Sequence, residues 1–346
     1  MRRLVVDLSD ERPIFTLPDQ VIDTIRDELP ADWQVVVVDA PASGVGDGGP
    51  ASSVAALEAV REAEVYMGYG VPPDLLRAGP GLRWVHSGAA GVRASLSTEM
   101  LERDVLFTNS AGIHAPPVAE TVLAYLLHFA RGLDMAAAAQ AERRWCAEEL
   151  GSADSPVREL GHSTVGIVGL GGIGGEVARR CTALGARVLA SRRRAAPPAG
   201  STGPEGPQLV TGPAALRRVL ESSHYVVLTL PQTRETSGLI GAEQLDWMRN
   251  DAVLVNISRG GLVDEVALLE ALRRRRIRGA ALDVFRREPL PPDHPLWEAP
   301  NLLITPHTSA YTHRFWERET ALIVDNIRRY IGGRPLRNVV DKQAGY

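Results

Sequence analysis

The stretch from Val165 to Gly175 reads V-G-I-V-G-L-G-G-I-G-G and constrains the fold more than any other part of the chain. Its apolar start, Val165, Ile167 and Val168, suits a buried parallel strand that runs straight into Gly169-x-Gly171-x-x-Gly174, the spacing of a dinucleotide-binding turn. Gly169 permits the tight strand-to-helix turn, Gly171 lets backbone approach a pyrophosphate, and Gly174 lets the next helix pack close to the strand. Gly172 and Ile173 lie in the same loop and complete the predicted dinucleotide contact. Phosphates then face the unpaired N–H groups of the first helical turn. A helical pattern at Glu176–Leu184, a stop at Gly185 and a strand at Arg187–Ala190 complete one βαβ unit.

The end of that second strand selects the cofactor. Asp or Glu there would bond a ribose 2′-hydroxyl, whereas Arg accommodates a 2′-phosphate. The chain has Ser191-Arg192-Arg193-Arg194 and no acid. Guanidinium groups pair with a phosphate bidentately and the Ser hydroxyl adds a donor, so NADPH is predicted over NADH.

At 346 residues the chain is long for one core, and two domains are expected. A net charge of −4 carries no global signature of nucleic-acid or anionic-membrane binding. Cys146 and Cys181 lack metal-like spacing, which argues against zinc or a disulfide framework and for the reducing cytosol. The apolar run at the N-terminus breaks at Asp7, too soon for a signal peptide, and Val118–Ala130 is too short and too interrupted to span a bilayer.

Beta and alpha patterns alternate along the chain. Strands are expected at Leu4–Leu8, Gln34–Val38, Val65–Gly68, around Leu82–Val85, and at Val105–Thr108, with a helix at Asp19–Leu29. Ala40–Ser53 and Ala195–Pro207 are rich in Gly, Ala and Pro and read as loops. Pro116-Pro117 opens a long helix from Val118 to about Arg131, and further helical patterns occur at Leu216–Glu221, Gln244–Met248, Glu265–Arg275 and Thr320–Tyr330. Between them Tyr225–Leu230, Ala252–Asn256, Gly279–Val284 and Leu302–Thr305 read as strands. This alternation predicts an α/β fold of two Rossmann-like, doubly wound parallel-sheet domains, with ligands at the carboxyl ends of strands.

The polar residues that suggest chemistry follow such ends. Arg259 comes after the strand ending at Asn256, where its fork of donors can grip a carboxylate and polarise a carbonyl. Glu288 follows Asp283-Val284-Phe285, and His307 follows Thr305-Pro306. A carboxylate beside an imidazole stabilises the imidazolium and fixes its tautomer, which suits an acid that protonates a carbonyl oxygen. Together the three suggest hydride transfer to C2 of a 2-oxo acid, with neutral His307 as the base in reverse. Ser87-Gly88-Ala89-Ala90-Gly91 is a small-residue turn able to expose N–H groups to an anion.

With these motifs in this order, the sequence resembles the D-isomer-specific 2-hydroxyacid dehydrogenases over nearly its whole length. The resemblance is tightest at Gly166–Gly174, Leu230-Pro231-Gln232-Thr233, Val255–Gly261, Ala281–Pro289 and Thr305–His307. It implies that Arg259 binds substrate, Glu288 orients and charges the histidine, and His307 is the acid/base. It further implies that Asp283 lies near the nicotinamide carboxamide, that Leu230 and Ile257 contact the cofactor, and that Ala90 and Gly91 hold the substrate carboxylate by their N–H groups. The implied arrangement is a substrate domain from 1–112 plus 308–346, a dinucleotide domain from 113–307, an active-site cleft between the domains, and a homodimer. Ser191-Arg192-Arg193 resembles the NADPH-using glyoxylate/hydroxypyruvate reductases. The chain departs from the family at Arg93, where an acid is common. Formate and phosphite dehydrogenases, and dinucleotide-sensing corepressors of the same fold, are the alternative readings; no disordered partner-binding tail is evident in the sequence.

Overall fold

The structure is a computed structural model that describes residues 1–38, 52–192 and 206–345. Most of the loop read at Ala40–Ser53, most of Ala195–Pro207, and Arg193 and Arg194 lie outside the described residues. The chain divides into two compact units, Met1–His114 with Tyr311–Tyr346, and Ala115–Ala310.

In the first unit, β1 (Arg2–Asp7), β2 (Trp33–Val37), β3 (Val65–Gly68), β4 (Trp84–Ser87) and β5 (Leu106–Asn109) form one sheet in the order β2-β1-β3-β4-β5. Every pairing is parallel. Such a sheet is covered on both faces, and the strands show it. Val5, Tyr66, Val85 and Phe107 point into one apolar cluster. Their neighbours Leu4, Val6, Val65, Met67 and Trp84 point into another, which the C-terminal helix Phe315–Ile331 covers with Ile323 and Ile327. That helix begins five residues before the expected Thr320, because Phe315 and Glu319 are already buried. The winding reverses between β1 and β3, and a small-residue turn follows β4.

In the second unit, β6 (Thr164–Val168), β7 (Arg187–Ser191), β8 (Gln208–Val210), β9 (Tyr225–Leu228), β10 (Val253–Asn256), β11 (Gly279–Leu282) and β12 (Leu302–Ile304) form a parallel sheet in the order β12-β11-β10-β9-β6-β7-β8. Val165, Ile167, Val227 and Val255 face one core, on which the helix Ala115–Ala130 lies; Val168, Val226, Leu228 and Leu254 face the other. The chain winds outward from β6 to β8, then returns to β9 and winds the other way to β12. The reversal between β6 and β9 opens a crevice at the strands' carboxyl ends. The three-residue strand β8 was not expected from the sequence, since it follows a Pro- and Gly-rich stretch with little pattern of its own. No single described helix is long and apolar enough to cross a membrane.

Candidate active site

The glycine loop sits at the reversal. Gly169 adopts φ +98°, a conformation that L side chains rarely enter, and its N–H donates to the Ser191 carbonyl at 3.0 Å, tying the end of β6 to that of β7. A Cβ on Gly174 would stand 2.3 Å from the Gly169 carbonyl oxygen, so helix and strand approach as only glycine allows. A Cβ on Gly171 would meet nothing within 4 Å, which leaves that face of the backbone open to a ligand. The helix that follows runs Gly172–Ala183, four residues earlier than its sequence pattern, with Gly171 as N-cap and no side-chain cap. Gly172 and Ile173 thus present first-turn N–H groups to whatever lies over the loop. These features fit a dinucleotide pyrophosphate. Leu230 packs on Gly169, and the Thr229 hydroxyl donates to the Gly169 carbonyl. Ile257 is buried directly after β10, in the cluster that holds Ile167 and Leu170. Ser191 ends β7 almost fully buried, and Arg192 follows it.

Three loops further along the sheet carry the polar candidates. Arg259 follows β10, and Asn256 shapes its loop: the Asn256 amide donates to the Arg259 carbonyl at 2.9 Å, while its side-chain oxygen accepts from the Ser258 N–H at 3.1 Å. Gly260 lies so close to the next loop that a Cβ would stand 1.9 Å from the Phe285 carbonyl carbon. That next loop carries Glu288. Its Oε1 accepts from the Phe285 N–H at 2.9 Å and its Oε2 lies 2.6 Å from His307 Nδ1. Burial pushes the Glu288 carboxyl up, but the His307 ring, the Phe285 N–H and the charge of Arg259 together hold it below the usual carboxylate range. An ionised carboxylate only accepts, so Nδ1 of His307 carries its hydrogen there, and Nε2 is the atom available for chemistry. Arg259, Glu288 and His307 are therefore brought together in one unit.

His307 itself has φ +54°, a left-handed conformation costly for a residue with a Cβ. Asp283 explains how it is held. Fully buried, its carboxylate accepts from the Thr305 hydroxyl at 2.5 Å and from the N–H groups of Thr308 at 2.9 Å and Ser309 at 3.0 Å, spanning His307 on both sides. Thr305 in turn is hydrogen-bonded to the Tyr125 hydroxyl. Sequence reasoning missed this support. Thr305 stands inside the quoted Thr-Pro-His run, but Tyr125 lies 180 residues away on the helix Ala115–Ala130 and carries no local signal.

In the first unit the turn after β4 is braced from several sides. Gly88 N–H donates to the Gly68 carbonyl at 2.8 Å, the Asn109 amide to the Ala90 carbonyl at 2.8 Å, and Ser110 N–H to the Ala89 carbonyl at 3.4 Å. The last two bonds occupy the Ala89 and Ala90 carbonyls; the N–H groups of Ala90 and Gly91 have no acceptor among the described residues.

Residues 123–309 match the family described as D-isomer specific 2-hydroxyacid dehydrogenase, NAD binding domain. The chain is 34% identical over 335 residues to glyoxylate/hydroxypyruvate reductase B of Pectobacterium carotovorum, covering 96% of this chain and 99% of that protein. Among solved structures, it is similar to a D-isomer specific 2-hydroxyacid dehydrogenase from Xanthobacter autotrophicus in complex with NADPH and MES, with a TM-score of 0.79, 30% identity and coverage of 100% of this chain and 99% of that one. It is also similar to an NADPH-dependent glyoxylate/hydroxypyruvate reductase from Sinorhizobium meliloti in complex with NADP and sulfate, with a TM-score of 0.77, 28% identity and full coverage of both chains.

Proposed function

The chain belongs to the D-isomer-specific 2-hydroxyacid dehydrogenases, NAD(P)-dependent oxidoreductases, and on that premise we propose that it reduces a small 2-oxo acid of the glyoxylate or hydroxypyruvate type to the D-2-hydroxy acid with NADPH as the favoured partner. The observation that carries the reading is the 2.6 Å contact of Glu288 with His307 in the same unit as Arg259, beside a glycine loop that fits a dinucleotide. The nicotinamide, when bound, supplies the hydride. The chain's own residues do the rest. Arg259 grips the substrate carboxylate and polarises the carbonyl, His307 delivers the Nε2 proton to the carbonyl oxygen, and Glu288 stabilises the imidazolium that precedes delivery. In reverse, neutral Nε2 takes the hydroxyl proton. In the first unit, the Ala90 and Gly91 N–H groups are donors suited to an anionic carboxylate.

Preference for NADPH is supported by the absence of an acid at Ser191-Arg192-Arg193-Arg194 and by the NADP and NADPH bound to the two structural relatives. A homodimer is supported by the helix Leu133–Ala141, apolar overall with only Ala139 buried, and by Trp145, which is 91% exposed close to it. Both cysteines are free and buried, in keeping with a reducing cytosol.

The test is absorbance at 340 nm with NADPH against NADH, offering glyoxylate, hydroxypyruvate, pyruvate and a bulkier aromatic 2-oxo acid. Oxidation of NADPH by a small oxo acid, with NADH much poorer, is the expected result. Tight NADPH binding with no turnover of any of them would turn the reading toward a dinucleotide sensor.

A further inference from the structure

A second buried polar network lies in the first unit and takes no part in the chemistry above. His86, Ser110 and Glu319 are all inaccessible to solvent, and they come from three elements: β4, the segment after β5, and the C-terminal helix. Glu319 Oε1 accepts from His86 Nε2 at 3.0 Å and from the Ser110 hydroxyl at 2.9 Å. Behind them the Trp84 indole N–H donates to Thr108 Oγ1 at 2.8 Å, and that hydroxyl meets His86 Nδ1 at 2.9 Å. The indole can only donate, so Thr108 Oγ1 accepts there, and one unbroken chain of contacts joins Trp84 through Thr108 and His86 to Glu319.

Glu319 is a poor choice for stability. Its Oε2 is buried with no hydrogen-bond partner, so the helix carries a carboxylate whose desolvation is only half compensated, where an apolar residue would pack at no such cost. What the carboxylate does accomplish is local. Ser110, which it holds, also has the Ser87 carbonyl within 3.1 Å of its hydroxyl, and it donates its N–H to the Ala89 carbonyl at 3.4 Å. The preceding Asn109 reaches the Ala90 carbonyl at 2.8 Å. Ser110 and Asn109 therefore clamp the turn whose Ala90 and Gly91 N–H groups have no acceptor among the described residues.

We propose that Glu319, acting through Ser110 and His86, is a positioning residue that pre-sets the Ala90–Gly91 turn for an anionic carboxylate. The proposal rests on the carboxylate-binding role of that turn given above. Donors held in place before the substrate arrives need no reorganisation, so loosening them weakens substrate binding and leaves the chemical step untouched.

The experiment compares wild type with Glu319→Leu, Glu319→Gln and Ser110→Ala, and with Ile323→Val, which removes packing from the same helix and no polar contact. Glu319→Leu and Ser110→Ala should raise the KM for the oxo acid about tenfold, with kcat and NADPH affinity within about twofold of wild type. Glu319→Gln retains an acceptor oxygen and should recover part of that loss; Ile323→Val should leave KM unchanged. Amide hydrogen exchange read at Ala89 to Val92 should quicken in Glu319→Leu and Ser110→Ala alone. Unchanged KM with unchanged exchange overturns the proposal, as does a common fall in kcat, KM quality and NADPH affinity matched by Ile323→Val. If Glu319→Leu fails to fold, Ser110→Ala decides. If wild type turns over no oxo acid, the proposed function fails, and oxalate becomes the probe: protection of the Ala90 and Gly91 amides by oxalate in wild type but not in Ser110→Ala upholds the positioning role, and equal or absent protection overturns it.

Discussion

Glu288 Oε2 lies 2.6 Å from His307 Nδ1, and this one contact fixes which ring nitrogen is left available for chemistry. The carboxylate is itself oriented by the Phe285 N–H and biased toward its ionised form by Arg259, so the three loops after β10, β11 and β12 act as one electrostatic assembly.

His307→Ala should reduce kcat by about a thousandfold, the range expected for loss of a general acid, with NADPH affinity within about twofold of wild type. Fluorescence titration of NADPH alongside steady-state kinetics checks both halves. Near-normal turnover would show that another group moves the proton.

Glu288→Gln preserves shape and removes charge. The amide has no charge to set against the imidazolium and can present its NH₂ to Nδ1, so the ring tautomer is no longer fixed and kcat should fall by about tenfold or more. The sign for stability follows from the depressed carboxyl. Its contribution is complete above the ordinary carboxylate range and lost as pH falls through the lowered value, so the melting difference between wild type and variant should shrink on acidification below about pH 4.

Arg259→Ala should lower kcat/KM for the oxo acid by about a hundredfold, and Arg259→Lys should not restore it, because a single ammonium cannot supply the planar fork. Full rescue by lysine would mean that charge alone suffices there.

Arg192→Ala, alone or with Arg193→Ala, should raise the KM for NADPH at least about tenfold while that for NADH stays within about twofold, since the proposed reading assigns these guanidinium groups to the 2′-phosphate, the one group that distinguishes the two cofactors. Equal effects on both cofactors would remove the assignment.

Gly260→Ala should destabilise the chain by about 2 kcal/mol or more, because the added Cβ would stand 1.9 Å from the Phe285 carbonyl carbon and backbone must move. Displacement of the Phe285 loop carries Glu288 with it, so kcat should fall more than the melting temperature alone would suggest. Gly261→Ala differs in kind: its Cβ would meet the Gln232 side chain, which can swing aside.

The sequence by itself determined the α/β alternation, the glycine turn and the residues that stand just past strand ends. The reason is physical: buried parallel strands and amphipathic helices leave their marks at spacings of two to four residues, and Gly169 to Gly174 answers a local backbone demand within a single turn. Arg259, Glu288 and His307 could be singled out from neighbouring residues for the same reason. Only the tertiary structure decided which of these side chains meet and what holds them. The bond between Tyr125 and Thr305 spans 180 residues and that between His86 and Glu319 spans 233, and both depend on which helix covers which strand. Nor does any local pattern announce that Asp283 gives its carboxylate to the backbone around His307, allowing a left-handed histidine there. Such contacts arise from the order of strands in the sheets, a property that spacing along the chain does not carry.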